Sequence, residues 1–319
     1  MSEQAPLLSI SEAPAPADGA AEWFDGAGGA PLRAALFSPK GAPKGSVVVS
    51  PGRTEPIEKY YEVVADLQAR GFVVLVHDWR GQGLSHRELA DRSKGHARGF
   101  KTFLADYGLL LDRFADRLPK PWIALGHSMG GCLTLLALAH GEDRFAACAL
   151  SAPMLGLHTG GRSPLLGRAW AWWMVHTGRA GDYLFGDAPD PLAYDFEDSR
   201  LTHDKARYDR YHAQILACPD LALGGLTWGW LDFAFSACAW LQAAPAVSRV
   251  AMPVVVVGAG DDSRVVNRDL KAVTARLPHG RYVEIAGAYH ELLVETDPVR
   301  SAFWREFDAL TGPVISPNA

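Results

Sequence analysis

The sequence predicts an α/β fold: a mostly parallel, doubly wound sheet carrying a helical cap inserted late in the chain. Three observations predict it. Short strands that are apolar almost throughout alternate with segments of helical spacing. That rhythm stops near residue 154 and resumes near residue 253. The stretch between reads as helical and holds Trp170, Trp172, Trp173, Trp228, Trp230 and Trp240, six of the chain's ten tryptophans.

Residues 1–20, rich in Ala, Pro, Ser and Glu, read as a flexible tail. Residues 21–319 read as one domain, with the cap at about 154–245. The first strand is Ser46-Val47-Val48-Val49-Ser50, closed by Pro51-Gly52. Tyr60, Val63, Val64 and Leu67 then give a helix over 56–70, and Gly71 ends it. Phe72–Val76 is the next strand, followed by a helix at about 100–117. After the strand Trp122–Leu125 come a helix from Ser128 and the strand Ala146–Leu150. Beyond the cap, the strands Val254–Val257 and Tyr282–Ile285 alternate with helices at 265–277 and 298–310. Near-continuous apolar strands are those of a parallel sheet covered on both faces. A cap between two such strands covers the sheet's carboxyl edge, where open α/β sheets place their ligands.

Composition excludes several classes. The chain of 319 residues has 31 basic and 36 acidic side chains, a net charge of −5, and no long run of one sign, so no nucleic-acid partner is expected. Cys132, Cys148, Cys218 and Cys238 form no CxxC pair and no Cys/His cluster, so no metal or nucleotide cofactor is implied. They read as reduced, mostly buried thiols. The N-terminus lacks the pattern of a secretory signal, and no apolar run reaches the ~18 residues of a membrane span. A cytoplasmic location is expected, compatible with transient contact with a membrane surface. Oligomeric state is not encoded in any pattern found.

The chemistry is carried by Gly126-His127-Ser128-Met129-Gly130-Gly131, which follows an apolar strand and opens a helix. This is G-x-S-x-G in its structural context, a tight turn that presents the Ser128 hydroxyl as a nucleophile. The acid and the base are then expected at later strand ends, in that order. After Val254–Val257 stand Asp261 and Asp262, which compete for the acid; the register from the strand end favours Asp262. After the last strand, Gly287-Ala288-Tyr289-His290-Glu291 offers His290 as general base. His127 is expected to point away from substrate in a packing role. The oxyanion donors are expected to be the backbone N–H groups of Met129 and, from the loop after the first strand, Arg53.

At these residues the chain resembles the lysophospholipase and monoacylglycerol lipase branch of the α/β hydrolases, particularly the bacterial lysophospholipase L2-like proteins, over about residues 25–312. The likeness rests on Pro51–Glu55 with Glu58-Lys59-Tyr60, on Asp78-Trp79-Arg80-Gly81-Gln82-Gly83-Leu84-Ser85, on Gly126–Gly131 and on Gly287–Glu291. Two departures stand out. Pro51-Gly52 replaces the His-Gly of the monoacylglycerol lipases, and Ser263-Arg264 adds a residue between Asp262 and Val265. The resemblance implies the α/β-hydrolase fold and a serine carboxylesterase acting on a small or lipid-like ester. An aromatic cap suits an acyl chain, although the same tryptophans could simply pack the cap onto the sheet. The alternatives are an amidase or aminopeptidase of the same fold, and a silent binding module. Retention of Ser, Asp and His in order argues against the last, and Ser128 argues against Asp-nucleophile dehalogenases and epoxide hydrolases.

Overall fold

The computed structural model describes residues 3–184 and 190–315. Nine strands form one sheet: β1 (Gln4–Ala5), β2 (Gly19–Asp25), β3 (Pro31–Phe37), β4 (Gly45–Ser50), β5 (Phe72–His77), β6 (Trp122–His127), β7 (Phe145–Ser151), β8 (Val254–Ala259) and β9 (Gly280–Ile285). Their order is β1-β2-β3-β5-β4-β6-β7-β8-β9. The first three strands run antiparallel, and every pair from β5 to β9 is parallel.

Alternate side chains explain the continuous apolar strands. Val47 and Val49 enter the core beneath α1 (Tyr61–Ala69), which lies on the same face as the C-terminal helix Asp297–Ile315. Val48 enters the opposite core with α2 (Lys101–Phe114) and α3 (Ser128–Ala139). Both faces of β4 and β5 are therefore buried, and no polar alternation survives. Each fully buried Val contributes about 1.5–3 kcal/mol.

Two features depart from the sequence expectation. The segment expected as a flexible tail packs on the domain from residue 3 onward; Met1 and Ser2 lie outside the described residues. Gln4 and Ala5 pair with Glu22 and Ala21, Ala5 and Ala13 are buried, and the Tyr61 hydroxyl donates to the Leu8 carbonyl at 2.7 Å. Small residues let this segment lie close to the sheet, which a composition rule for disorder does not capture. The antiparallel strands β2 and β3 were not expected either. Arg33 interrupts the apolar run of β3 and is fully buried, because Glu58 (2.7 Å) and Asp78 (2.7 Å) neutralise it.

Between β7 and β8 lie α4 (Pro164–Met174), α5 (Phe196–Ser199), α6 (Lys205–Ala217) and α7 (Trp228–Ala243). Residues 185–189 of the expected cap lie outside the described residues. Helix α7 packs Phe233, Ala234, Ala237 and Leu241 into the core of α2 and α3. Helix α6 is tied down by charge. Arg207 meets Glu62 (2.7 Å) and Asp297 (2.6 Å), and Arg210 meets Glu62 (2.8 Å). Helix α8 (Asn267–Thr274) and α9 (Asp297–Ile315) complete the layers.

Candidate active site

The sheet's topology fixes where a site can form. From β4 the chain passes to β5 on one side and later to β6 on the other. The carboxyl ends of β4 and β6 therefore border the crevice at which strand order reverses. Pro51-Gly52-Arg53 leaves β4 there, and Ser128 leaves β6.

Ser128 begins α3 with φ +49°, a left-handed conformation costing a β-carbon residue on the order of 1–3 kcal/mol. The surrounding glycines make the turn feasible. A Cβ on Gly130 would fall 2.1 Å from the Ser50 carbonyl oxygen, and one on Gly126 would fall 2.7 Å from the Gly131 Cα. The strained turn lifts the hydroxyl toward His290, whose Nε2 accepts from Ser128 Oγ at 2.9 Å. On the other side of the ring, Nδ1 donates to Asp262 Oδ2 at 2.7 Å.

The adjacent aspartates part company here. Asp261 is exposed. Asp262 turns inward, and its Oδ1 accepts from the backbone N–H groups of Arg264 (2.7 Å) and Val265 (2.9 Å). Burial alone would raise the Asp262 carboxyl, but the hydrogen bond and charge of His290 and these two N–H donors outweigh it and hold the group below its ordinary value. The extra Ser263-Arg264 pair thus closes a loop whose N–H groups orient the carboxylate.

Met129 lies in the first turn of α3, where an N–H has no intrahelical acceptor. The Arg53 N–H has no acceptor among the described residues. Its loop is held from behind. Gln82 Nε2 donates to the Gly52 carbonyl at 2.9 Å, its Oε1 accepts from Thr54 N–H at 3.0 Å, and Trp79 Nε1 donates to the Pro51 carbonyl at 2.8 Å. Glu55 accepts from Gly52 N–H (2.6 Å), the Tyr60 hydroxyl (2.6 Å) and Lys59 (2.9 Å). Burial opposes the Glu55 charge, yet Lys59 and then His127 prevail and bring its carboxyl down to about 2. The Asp78–Ser85 block is therefore the scaffold of this loop. Asp78 fixes Arg33, Ile57 N–H and Leu84 N–H, so that Gln82 and Trp79 face the Pro51–Thr54 turn.

His127, expected to point away from the site, is buried with its ring 4.9 Å from that of His290. Its Nδ1 meets the Ser151 carbonyl at 3.0 Å, and burial pushes its pKa down, so it stays neutral and supports the other imidazole by packing.

Ser128, His290, Met129 and Arg53 open into one cavity of about 1440 Å³. Its wall is largely apolar: Met154, Leu157, Leu166, Trp170, Trp173, Leu226, Trp228, Trp230 and Phe235, most of them from the cap. Arg53 and Arg264 interrupt that wall. Burial, then the charge of Arg264, draws the Arg53 guanidinium down to about 10. Among the described residues no group of three or more His, Cys, Asp or Glu side chains could hold a metal ion, and no helix is long and apolar enough to cross a membrane.

The family of serine aminopeptidases, S33, matches residues 41–297. Over 265 residues the chain is 33% identical to lysophospholipase L2 of Escherichia coli strain K12, covering 80% of this chain and 76% of that one. Over 144 residues it is 33% identical to a monoacylglycerol lipase of Mycolicibacterium smegmatis, covering 45% and 49% of the two. In overall fold it resembles a soluble variant of monoglyceride lipase from Saccharomyces cerevisiae, with a TM-score of 0.70 at 17% identity over 91% of this chain and 94% of that one.

Proposed function

The chain belongs to the serine aminopeptidase S33 family, in the lysophospholipase L2 and monoacylglycerol lipase branch of the α/β hydrolases, and on that premise we propose that it hydrolyses the carboxylic ester of a single-acyl lipid through Ser128, His290 and Asp262. One observation carries the reading: His290 lies within hydrogen-bond reach of both Ser128 and Asp262 at the floor of a large apolar cavity.

Ser128 Oγ attacks the acyl carbonyl as His290 Nε2 takes its proton. Asp262 keeps the proton of the neutral imidazole on Nδ1 and then stabilises the imidazolium. The tetrahedral oxyanion accepts from the N–H groups of Met129 and Arg53. As it collapses, the ester C–O bond breaks and His290 protonates the departing alcohol. Water, deprotonated by His290, then attacks the acyl-enzyme, and the fatty acid leaves with the Ser128 hydroxyl restored.

Cap and cavity favour a lipid. A cavity of this size exceeds the usual ~300–1,000 Å³ of small-ligand sites, and its apolar wall would shelter an acyl chain. On α4, Leu165 (76% exposed), Leu166 (73%), Trp170 (55%), Trp172 (53%) and Trp173 (48%) form an apolar face that suits transient contact with a lipid surface. Amide cleavage from a free N-terminus is less well served. The carboxylates near Ser128 that could receive an ammonium, Glu55 and Glu291, are both engaged by Lys59.

A fluorophosphonate probe tests the nucleophile, and a panel of monoacylglycerols, lysophospholipids and p-nitrophenyl esters tests the substrate. Labelling should map to Ser128 and vanish in Ser128→Ala. Labelling that persists at another residue, or a panel left intact while aminoacyl amides are cleaved, overturns the reading.

A further inference from the structure

The two arginines in the cavity wall have no role in the acyl-transfer steps beyond the Arg53 backbone N–H. The Arg53 guanidinium lies over the Trp230 ring, 5.5 Å from its centroid, and Nη2 donates to the Gly224 carbonyl. Gly95 closes against it, since a Cβ there would fall 2.7 Å from that Nη2. The Arg53 Nε is buried and has no acceptor. Arg264 is exposed, and its Nη2 donates to the Ser199 carbonyl at 2.8 Å. Among the described residues neither forms an ion pair. The nearby carboxylates are engaged elsewhere, Glu55 and Glu291 on Lys59 and Asp262 on His290.

Two guanidinium groups close enough to repel, in an apolar wall without a counter-ion, are unfavourable until an anion joins them. A guanidinium fork matches the paired oxygens of a phosphate, and low polarity strengthens the contact. The position also fits. Arg53 adjoins the proposed oxyanion donor, so a group it binds belongs to the part of the substrate near the scissile ester.

We propose that Arg53 and Arg264 together bind the phosphate of a lipid head group, so that the preferred substrates are single-acyl phospholipids of net negative charge. This deepens the ester-hydrolase reading and rests on it.

The test compares kcat/KM for monoacylglycerol, lysophosphatidylcholine and lysophosphatidylglycerol of one acyl chain. Each is diluted to the same low mole fraction in neutral detergent micelles, so that surface charge stays constant. Lysophosphatidylglycerol should exceed monoacylglycerol by tenfold or more, with the gap narrowing as salt rises. Arg264→Met and Arg53→Met, the latter keeping its N–H, should each reduce that ratio at least fivefold, mainly through KM. Should Arg53→Met not fold, the exposed Arg264 still decides. Equal rates on the charged and neutral esters, or variants that lower both alike, would overturn the proposal while leaving ester hydrolysis intact. Hydrolysis of none of the three would instead strike the underlying reading. Inhibition by inorganic phosphate without any head-group preference would assign the pair to a free anion and also overturn it.

Discussion

The side-chain amide of Gln82 grips the loop that carries Arg53, donating to the Gly52 carbonyl at 2.9 Å while accepting from Thr54 N–H at 3.0 Å. Gln82 thereby sets the aim of a backbone N–H without facing the substrate's reacting atoms. Displacing a proposed oxyanion donor by about 1 Å can cost on the order of 100-fold in rate. Gln82→Leu should therefore lower kcat by roughly 10- to 100-fold with little change in KM. Fluorophosphonate labelling of Ser128 should slow in parallel. A rise in KM at constant kcat would show that Gln82 serves binding rather than loop position.

Asp262 and Asp261 differ in direction, and their Asn variants should differ accordingly. An Asn at 262 cannot hold the proton on His290 Nδ1 in the productive sense, so turnover should fall by about 10³–10⁴-fold. Asp261→Asn, at an exposed position, should stay within about threefold of the parent. Steady-state rates on a short p-nitrophenyl ester are enough, and the reverse order would make Asp261 the acid.

Much of this site was legible because strand ends and Gly punctuation are local signals. Ser128 follows β6 inside a glycine turn, and His290 follows β9. The choice between Asp261 and Asp262 was harder, because neighbouring loop residues carry no periodicity to say which side chain turns inward. What settles their directions is the pair of N–H groups from Arg264 and Val265. Strand β3 was illegible for a different reason. Arg33 makes its pattern look exposed, and only partners 25 and 45 residues away, Glu58 and Asp78, make its burial tolerable. Gln82 and the unpaired Arg53 guanidinium are likewise tertiary facts, visible once the loops are brought together.

Removing one member of that buried triad leaves the others uncompensated. Asp78→Asn should destabilise the fold by about 3–5 kcal/mol, more than the loss of any exposed ion pair. It should also lower activity through the Pro51–Thr54 loop, because Asp78 holds Leu84 and Ile57 on either side of it. Urea unfolding measures the first effect. A stability within 1 kcal/mol of the parent would mean that Arg33 finds other partners.

Glu62 binds Arg207 and Arg210 of the cap and Arg300 of the core at once. Burial would raise its carboxyl, but the Arg207 hydrogen bond and the Arg300 charge bring it down to about 2. Because the folded value lies below the unfolded one, near 4.5, the stabilisation is complete above pH ~4.5 and is lost as pH falls through about 2. The gap in thermal midpoint between the parent and Glu62→Gln should be widest above that range and close toward pH 2. A gap that widens on acidification would contradict this linkage.

Trp170, Trp172 and Trp173 share α4 but not one environment. Trp170 and Trp173 line the cavity and lie 5.3 Å apart, whereas Trp172 stacks on His176 at 4.0 Å and is outside the lining. If the cavity holds the acyl chain, Trp170→Ala and Trp173→Ala remove cover from its methylenes. Each methylene left exposed costs about 0.8 kcal/mol, roughly fourfold in rate. The ratio of lauroyl to acetyl ester hydrolysis should fall several-fold in both variants, with acetyl turnover close to the parent. Trp172→Ala should leave that ratio unchanged on dissolved esters, since its ring faces outward. It should lower rates only on substrate presented in vesicles, where an exposed indole can anchor to the interface. Circular dichroism secures the fold of each variant. Equal losses on both esters at Trp170 and Trp173 would mean that these rings only hold the cap together, and the acyl-chain path would then have to run elsewhere in the cavity.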